Sequence, residues 1–291
     1  MTFFKKIILK LLSPILNRLT EIENKIAVNK GLSKGALGAN IRSIDLKKPL
    51  SWEFSALSQN GEDGITDFLI SYLIKPNKYF IEIGVGNGIT SNTAWLALVK
   101  NYSGIMIDGG KDSINTAKSI KHGFTVDYQL KFITLENCLE INKETAYNDP
   151  DLFSIDIDGN DYYIMKKLLE NDFLPKIVIV EYNSTFGPTN SMTIKYDPKF
   201  DFSKAHPSCL YYGVSITLWK KLFKTFGYKF ITVDSNGVNA FFAKEDSFDQ
   251  NFINKEFDGL DFEENFYQKN KFKCNWQKQY DTIKNMDFEI I

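Results

Sequence analysis

An acid and three glycines at alternate positions form the most distinctive motif of the chain, Glu82-x-Gly84-x-Gly86-x-Gly88. The motif begins within Tyr79–Ile83. Apart from Glu82, this run is apolar, which is typical of a central parallel strand that is covered on both faces. Glycine lets the backbone turn sharply and lets a ligand approach the main chain closely. A dinucleotide site would instead need G-x-G-x-x-G, and the acid at Glu82 would repel a pyrophosphate. The motif therefore predicts a binding turn for a cationic ligand.

A second strand end carries another acid. Tyr102-Ser-Gly-Ile-Met-Ile is a short apolar strand that closes on Asp108. This acid follows the glycines by about twenty residues, where Rossmann-like folds place the carboxylate that binds ribose hydroxyls. Its alternative role is that of a strand-ending aspartate in a turn. A third strand edge is predicted over Phe132–Asn137, and we assign Asn137, at its end, to the same ligand site.

Two further strands end in carboxylates. In the strand that ends Ser-Ile-Asp156-Ile-Asp158, the two acids project from the same face because the side-chain period of a strand is two. Two carboxylates on one face repel each other unless a cationic ligand, a metal ion or a lysine joins them. The next apolar strand runs into Glu181 and Asn183. Since parallel strands end at one edge of a sheet, we expect Asp158, Glu181 and Asn183 to converge.

A polar turn before the first strand, Ser58-Gln-Asn-Gly-Glu-Asp-Gly64, opens an amphipathic helix. Two roles are open for it. Glu62 and Asp63 can stabilise the helix dipole from the first turn. Alternatively, the turn lies over a cofactor at the head of the first strand, with Gln59, Gly61, Glu62 and Asp63 as its contacts.

A long irregular segment, 184–213, interleaves aromatic and polar residues. Loops of this length inside a compact domain are lids or binding loops. The aromatic faces suit a sugar or another planar, hydroxylated acceptor, and the alternative is a self-packed surface loop. Of the two histidines, His206 in this segment is the better candidate for a general base than His122.

The order of the predicted elements indicates an α/β fold. Five strands alternate with helices, and the last two strands, Tyr228–Asp234 and Asn239–Lys244, form an antiparallel hairpin at the sheet edge. We predict a Rossmann-like, seven-stranded, mostly parallel sheet with an N-terminal helical extension. The chain divides into a helix and linker (1–50), the α/β domain (51–246) and a C-terminal tail that wraps the core (247–291).

The composition excludes several classes of protein. Of 291 residues, 43% are hydrophobic and 24% charged, which is ordinary for a globular protein. The net charge is −1, from 35 basic and 36 acidic residues, so the composition lacks the excess of positive charge expected of a nucleic-acid-binding protein. The three cysteines are widely spaced, which argues against a disulfide framework or a zinc cluster and fits a reducing cytoplasm.

The N-terminal segment, 1–29, carries an apolar stripe at the a and d spacing of a short coiled coil. The stripe consists of Ile8, Leu12, Ile15, Leu19, Ile22 and Ile26. Interleaved lysines and Arg18 exclude a membrane span and a signal-peptide core, and Pro14 would kink the helix or start it. Three interpretations stay open: a helix packed on its own core, a homo-oligomer helix, and a basic amphipathic helix on a membrane surface. The glycines of 31–51 indicate a linker.

Together these motifs resemble the FkbM-like group of class I methyltransferases, which use S-adenosylmethionine (SAM). The resemblance covers roughly Leu57–Lys244. It rests on Ser58-Gln-Asn-Gly-Glu-Asp, on Glu82-x-Gly-x-Gly-x-Gly, on Asp108 and on Ser154-Ile-Asp-Ile-Asp-Gly-Asn-Asp161, which is similar to the family's I-D-V-E-G-x-E. Asp158 replaces the family's glutamate and Asp161 its second acid, so the charge is kept and the reach is shorter. The resemblance implies SAM as cofactor and O-methylation of sugars or polyketide-type hydroxyls.

The resemblance also implies roles for the candidate residues. Methyl transfer needs orientation and a base for the hydroxyl proton. Related metal-dependent O-methyltransferases bind a divalent ion at places where this chain has Asp158, Glu181 and Asn183, an oxygen-rich set that favours Mg²⁺. The alternative is a metal-free base, and the catalytic candidates are Asp158, Glu181 and His206. The cofactor site comprises Gln59, Gly61, Glu62, Asp63, Glu82, Gly84, Gly86, Gly88, Asp108, Asn137 and Asp156.

Two other classes of function stay open. A nucleotide-sugar-binding oxidoreductase would share the pattern of strands and acids, although Glu82 and the glycine spacing argue against it. A methyltransferase-fold assembly protein without catalysis would keep the core and act through its N-terminal helix. The predicted function is a cytoplasmic SAM-dependent O-methyltransferase for a hydroxyl of a sugar or glycan-type acceptor, membrane-associated if the N-terminal helix binds lipid.

Overall fold

The structure is a computed structural model that describes residues 3–123 and 125–291. Its strands are β1 (Tyr79–Ile83), β2 (Ser103–Asp108), β3 (Val126–Leu130), β4 (Leu152–Ile155), β5 (Ile177–Glu181), β6 (Met192–Ile194), β7 (Tyr228–Val233), β8 (Asn239–Lys244) and β9 (Phe288–Ile290). Seven of them form one sheet in the order β3-β2-β1-β4-β5-β8-β7, and of these described strands β8 alone runs antiparallel to the other six. The predicted α/β sheet with a terminal antiparallel hairpin is confirmed.

Helices cover both faces of this sheet. The helices of the described residues are α1 (Phe3–Ile41), α2 (Glu62–Ile70), α3 (Ala94–Val99), α4 (Lys111–Ile120), α5 (Ile141–Glu144), α6 (Asp161–Leu169), α7 (Phe202–Ala205), α8 (Ile216–Thr225), α9 (Gln250–Ile253), α10 (Phe266–Phe272) and α11 (Trp276–Ile283). Alternate residues of β1 enter opposite cores, because Ile81 packs with α6 and α8 whereas Phe80 packs with α2 and α4. Burial on both faces explains why β1 is apolar apart from Glu82.

The third strand was predicted at the wrong place. It is β3, and the predicted stretch Phe132–Asn137 lies after it in a loop and a turn that lead into the 3₁₀ helix Cys138–Glu140. As the edge strand of the sheet, β3 buries Val126 and leaves Asp127 and Leu130 exposed, so its sequence lacks a strong apolar signal. The more apolar residues of the loop, Phe132 and Ile133, face a cavity instead.

The linker predicted from Gly31 onward is wrong for its first part, because α1 continues unbroken to Ile41. A Cβ on Gly31 would lie 2.6 Å from the Ala56 carbonyl oxygen, and a Cβ on Gly35 would lie 2.3 Å from the Ala56 Cβ. These glycines therefore mark a close approach between the helix and the chain before α2. Among the described residues, no helix is both long enough and apolar enough to cross a bilayer.

The C-terminal residues pack against the long segment that precedes α8. Strands β6 and β9 form a small antiparallel sheet, and α11 contacts the 3₁₀ turn Ser184–Phe186. Ile283 joins a buried apolar cluster with Phe186, Ile194 and Leu210. The last residues thus build a third layer at one end of the sheet, beside the carboxyl ends of β4 and β5.

Candidate active site

The three glycines of the turn after β1 have positive φ angles and different surroundings. A Cβ on Gly84 would lie 1.7 Å from the Asp156 carbonyl oxygen, and one on Gly88 would lie 2.6 Å from the Ala117 Cβ. A Cβ on Gly86, at φ +54°, would meet no atom within 4 Å. Gly84 and Gly88 therefore allow close packing, whereas Gly86 faces open space.

That open space is a cavity of about 580 Å³ at the carboxyl ends of β1 to β4. Its walls come from the glycine turn, from the loops after β2, β3 and β4, and from the turn before α2. The residues with the clearest chemical roles are Gln59, Gly86, Asp108, Phe132, Asp156 and Asp158. A cleft at this edge of an open parallel sheet is where such folds bind their ligands.

Asp108 fixes one wall of this main cavity. Its Oδ2 accepts a hydrogen bond from the Gly86 amide (2.9 Å), and its Oδ1 accepts one from the Gly110 amide (2.6 Å). Each carboxylate oxygen has further acceptor capacity. The residue thus holds the glycine turn and presents a carboxylate to the cavity, so the turn role and the ligand role predicted for it are compatible.

Glu82 lies beside the main cavity rather than in its wall. Its carboxylate is buried and accepts hydrogen bonds from the Ser91 hydroxyl (2.5 Å), the backbone amide of Asn92 (2.9 Å) and the Thr93 hydroxyl. It lines a polar side cavity of about 50 Å³ that Gln59 and Asp156 share with the main cavity. Burial raises the pKa of Glu82 above its usual value. Three donors from the chain itself already occupy the carboxylate predicted to meet the cation.

The turn before α2 contributes through Gln59. Asp63 is buried, and its Oδ2 accepts hydrogen bonds from the amides of residues 56–58, so it organises the turn. Burial raises its pKa to about 6. Glu62 accepts from the Asn60 amide and from Asn239 in the side cavity, and Gly61 caps α2. Of the four predicted contacts, Gln59 lines both cavities, Glu62 lines the side cavity alone, and Gly61 and Asp63 shape the turn.

Three carboxylates meet beside the main cavity, where Asp156 and Asp158 belong to its lining and Glu181 does not. One oxygen each of Asp156, Asp158 and Glu181 lie within 4.8 Å of one another. Burial raises the pKa of Asp156, and the charge of Asp158 adds to that shift. Burial also raises the pKa of Glu181, and the charges of Asp156 and Asp158 add to it. Burial and the charge of Asp161 raise the pKa of Asp158 to about 6. Within residues 3–123 and 125–291, no lysine, arginine or histidine forms an ion pair with these three acids, which we call the acid cluster.

Backbone geometry sets the position of Asp158. Its φ is +57°, a left-handed conformation that few side chains tolerate and that aspartate tolerates best along with asparagine. Asp161 holds this turn, because its two oxygens accept hydrogen bonds from the Ile157 and Gly159 amides. The second acid of the motif therefore positions Asp158 and does not line a cavity.

Besides Gly61, Asp63, Gly88 and Glu181, three further predicted site residues line none of the cavities. Asn183 is buried, with its Nδ2 donating to the Leu210 and Tyr212 carbonyls and its Oδ1 accepting from the Thr185 amide, so its amide cannot complete the acid cluster. Asn137 donates to the Phe132 carbonyl and shapes the loop whose tip lines the main cavity. His206 binds the Ser208 hydroxyl (2.8 Å) and lines neither cavity.

A second cavity of about 200 Å³ lies on the other side of Asp158. Its walls come from α10 and from the loop between α7 and α8. Four of its ten lining residues are aromatic, and a glutamine and a lysine lie among them: Phe202, Tyr212, Tyr267, Gln268, Lys271 and Phe272. The Gln268 amide donates to the Tyr212 hydroxyl (2.9 Å), which fixes two of these walls. Asp158 lines both cavities and is the point where they meet.

Sequence reasoning missed several residues of the site. His122 accepts from the Tyr128 hydroxyl at Nδ1 and donates from Nε2 to the Gly88 carbonyl (2.8 Å), so it supports the glycine turn. The start of α10, which forms one wall of the second cavity, could have been predicted from the sequence. Asn265 is a favourable N-cap residue, and its side chain accepts hydrogen bonds from the backbone amides of Tyr267 and Gln268. Phe200 belongs to the aromatic segment 184–213 that the sequence predicts as a lid or binding loop, but no local signal shows that it packs on Gly159 in the wall of the main cavity.

Comparisons with known proteins give similarity at the level of structure. No protein-family model matches the chain, and no curated protein matches it. An O-methyltransferase from Bacillus cereus, solved with SAH, the product that SAM leaves behind, is 14% identical; the match covers 74% of this chain and 88% of that one at a TM-score of 0.41. The N-terminal domain of EvdMO1, also solved with SAH, is 12% identical over 64% of this chain and 80% of that one, with a TM-score of 0.41. At this level the similarity carries no weight for function, which has to come from the chain's own residues.

Proposed function

We propose that this protein is a SAM-dependent O-methyltransferase. The observation that carries the proposal is the position of Asp158 in the partition between a large polar cavity and a smaller aromatic one. The large cavity lies at the ligand-binding edge of a parallel sheet and contains a glycine turn and a carboxylate. A transferase for two substrates needs two adjoining sites with an acid or base between them.

The main cavity suits SAM in shape and charge. Gly86 leaves room for a ligand against the turn, and Asp108 presents a carboxylate for ribose hydroxyls. The wall that faces the second cavity is acidic, which favours a cationic ligand and disfavours a pyrophosphate. SAM, when bound, supplies a methyl group on a sulfonium for in-line displacement. Gln59, at the junction with the side cavity, is in place to bind its polar end.

The acid cluster supplies the base or holds a metal ion. A carboxyl with a pKa of about 6, as for Asp158, is half or more ionised near neutral pH and can accept a hydroxyl proton. The oxygen ligands of Asp156, Asp158 and Glu181 also fit a divalent ion such as Mg²⁺, and Asp156 takes the place predicted for Asn183. Such an ion, when bound, lowers the pKa of an acceptor hydroxyl and orients it.

The second cavity is our candidate for the acceptor site. Its aromatic faces with a few polar groups are typical of sites for planar, hydroxylated molecules. This lining supports a sugar or glycan-type hydroxyl as the acceptor. The motif resemblance and this lining together support the FkbM-like group as the nearest functional class.

Calorimetric titration with SAM, NAD⁺ and a UDP-sugar tests the cofactor. We expect binding of SAM alone, because the acidic wall disfavours both pyrophosphates. Binding of NAD⁺ or the UDP-sugar without SAM would support the oxidoreductase. Transfer of labelled methyl from SAM to a panel of sugars then separates an enzyme from an assembly protein that only binds the cofactor.

The role of the acid cluster is tested by chelation and by Asp158→Asn. If the cluster holds a metal ion, excess EDTA removes turnover and leaves SAM binding intact, and Asp158→Asn weakens the affinity for Mg²⁺ in calorimetry. If Asp158 is a simple base, activity survives EDTA and rises with pH through a single ionisation near 6. In both cases we expect Asp158→Asn to lower kcat by about 10²-fold or more. Unchanged kcat in this variant would remove Asp158 from the chemistry.

A further inference from the structure

The first part of α1 exposes an apolar stripe. The six a and d residues of the stripe, from Ile8 to Ile26, are between 43% and 61% exposed. Position a holds Leu12, Leu19 and Ile26, and position d holds Ile8, Ile15 and Ile22. A row of large apolar side chains on a helix without cover from its own chain marks an interaction surface.

The rest of the protein packs on the opposite side of this helix. Asn24, Gly31 and Gly38 take f positions, and Val28 and Gly35 take c positions, in the heptad defined by the stripe. Asn24 donates to the Ser119 hydroxyl, Val28 is buried, and the glycines approach residues 54–57. Because c and f lie across the helix from a and d, the body of the protein does not cover the stripe. The interpretation of a helix packed on its own core therefore holds only from residue 24 onward.

Pro14 does not interrupt the stripe. It lies inside α1 at a c position, on the side away from a and d. A proline leaves the carbonyl four residues earlier without its amide partner. Here that carbonyl belongs to Lys10, and the Ser13 hydroxyl donates to it at 2.9 Å. The helix thus continues through Pro14 with its stripe on one side.

Two of the three g residues beside the stripe match a second copy of the chain, and the third, Lys25, would face Lys30 at the end of the stripe. In a parallel coiled coil, each g residue faces the e residue five positions later on the neighbour. Leu11 and Arg18 take g positions, and Leu16 and Glu23 take the e positions that they would face. One pair is apolar and the other is of opposite charge, and Leu11 is 73% exposed in the single chain. A lipid surface would give Glu23, beside the apolar stripe, no partner.

We propose that residues 8–26 of α1 form a parallel coiled coil between copies of this chain. Leucine at a with isoleucine at d favours bundles of more than two helices, and apolar e and g residues become buried in such bundles. The stripe ends after Ile26, because the next d position holds Asn29 and the next a position holds Ser33. The assembly therefore joins the copies at the N-terminal half of α1 and leaves the cavities free.

Light scattering on the full chain tests this proposal. We expect wild type to have more than twice the 33.4 kDa mass of one chain at micromolar concentration. Leu19→Glu and Ile22→Glu place charges at a and d and should reduce the mass to that of one chain. The matched control is Leu37→Glu, because Leu37 is 61% exposed on the same helix outside the stripe, and its mass should equal that of wild type. A thermal midpoint equal to that of wild type shows that each variant is folded.

Charge reversal tests the parallel arrangement. Arg18→Glu should shift association to at least about tenfold higher concentration, and adding Glu23→Arg should restore it. A monomeric wild type that floats with anionic vesicles would overturn the proposal in favour of a membrane helix. An unchanged mass in Leu19→Glu and Ile22→Glu, or failure of the double reversal to restore association, would also overturn it.

Discussion

Gly86 and Asp158 are the two residues on which the proposed chemistry depends most. Gly86 leaves space for a ligand on one side of the main cavity, and Asp158 forms the partition on the other side. Both have left-handed backbones, which few residue types adopt without strain. Residue choice at these positions is therefore limited by conformation and by function at once.

A side chain at Gly86 should block the cofactor without unfolding the protein. Asparagine tolerates the left-handed backbone, so Gly86→Asn should leave the thermal midpoint close to that of wild type. Because its amide enters the main cavity, SAM affinity in calorimetry should fall by at least about tenfold. Gly227→Asn is the matched control, since Gly227 is also left-handed (φ +75°) and only the flexible end of Lys244 is near it. Wild-type SAM affinity in Gly86→Asn would mean that the motif is only a turn.

The acid cluster predicts a dependence of stability on pH. The folded pKa values of Asp156, Asp158 and Glu181 lie above those of the unfolded chain, so the folded state binds more protons. This stability is fully present below the unfolded pKa, near 4, and is lost as pH rises through about 6. Without divalent ions, the free energy of unfolding should therefore fall between pH 4 and pH 7, and Mg²⁺ should restore part of it.

A comparison of variants isolates the acid cluster from other groups. Asp63 contributes in the same direction, and His122, whose pKa burial lowers, contributes in the opposite one. Asp158→Asn should flatten the pH profile measured by chemical unfolding. Asp201→Asn should keep it, because the exposed Asp201 has its pKa lowered to about 2 by Lys204 and titrates below this range. A profile that is equally steep in Asp158→Asn would contradict the assignment.

Among the elements, α10 defines the candidate acceptor site. Tyr267 on α10 lines the second cavity, and its neighbour Phe266 does not, although the two are 50% and 52% exposed. Tyr267→Ala should raise the KM for an acceptor about tenfold, and leave SAM affinity unchanged, because an aromatic contact is lost from one cavity only. Phe266→Ala should change neither constant. Equal kinetic effects of the two substitutions would remove the second cavity from acceptor binding.

Across the whole molecule, the sequence predicts those strands and turns that a local pattern of apolar and turn residues determines. The apolar strands β1, β2, β4 and β5 and the β7–β8 hairpin are readable because each is continuous and bounded by turn residues. The convergence of Asp158 with Glu181 follows from strand direction alone. Strand β3 escapes such reasoning because an edge strand buries only part of its residues.

The remaining features depend on contacts between distant parts of the chain. Asn183 looks like a ligand by position, yet the carbonyls of residues 210 and 212 take its amide. Gly31 and Gly35 look like linker residues, yet they let a helix approach Ala56. A pattern identifies a residue type that can act, and only the fold decides which neighbour it meets.

The separation of the second cavity from the sheet has a consequence for the evolution of specificity. The sheet and its loops supply the main cavity, whereas α10, which follows the last strand of the sheet, supplies one wall of the second. Under the proposed function, replacement of this seven-residue helix would change the acceptor and leave the cofactor site intact. A lineage that carried this scaffold could diversify its products by exchange of the gene segment that encodes this helix.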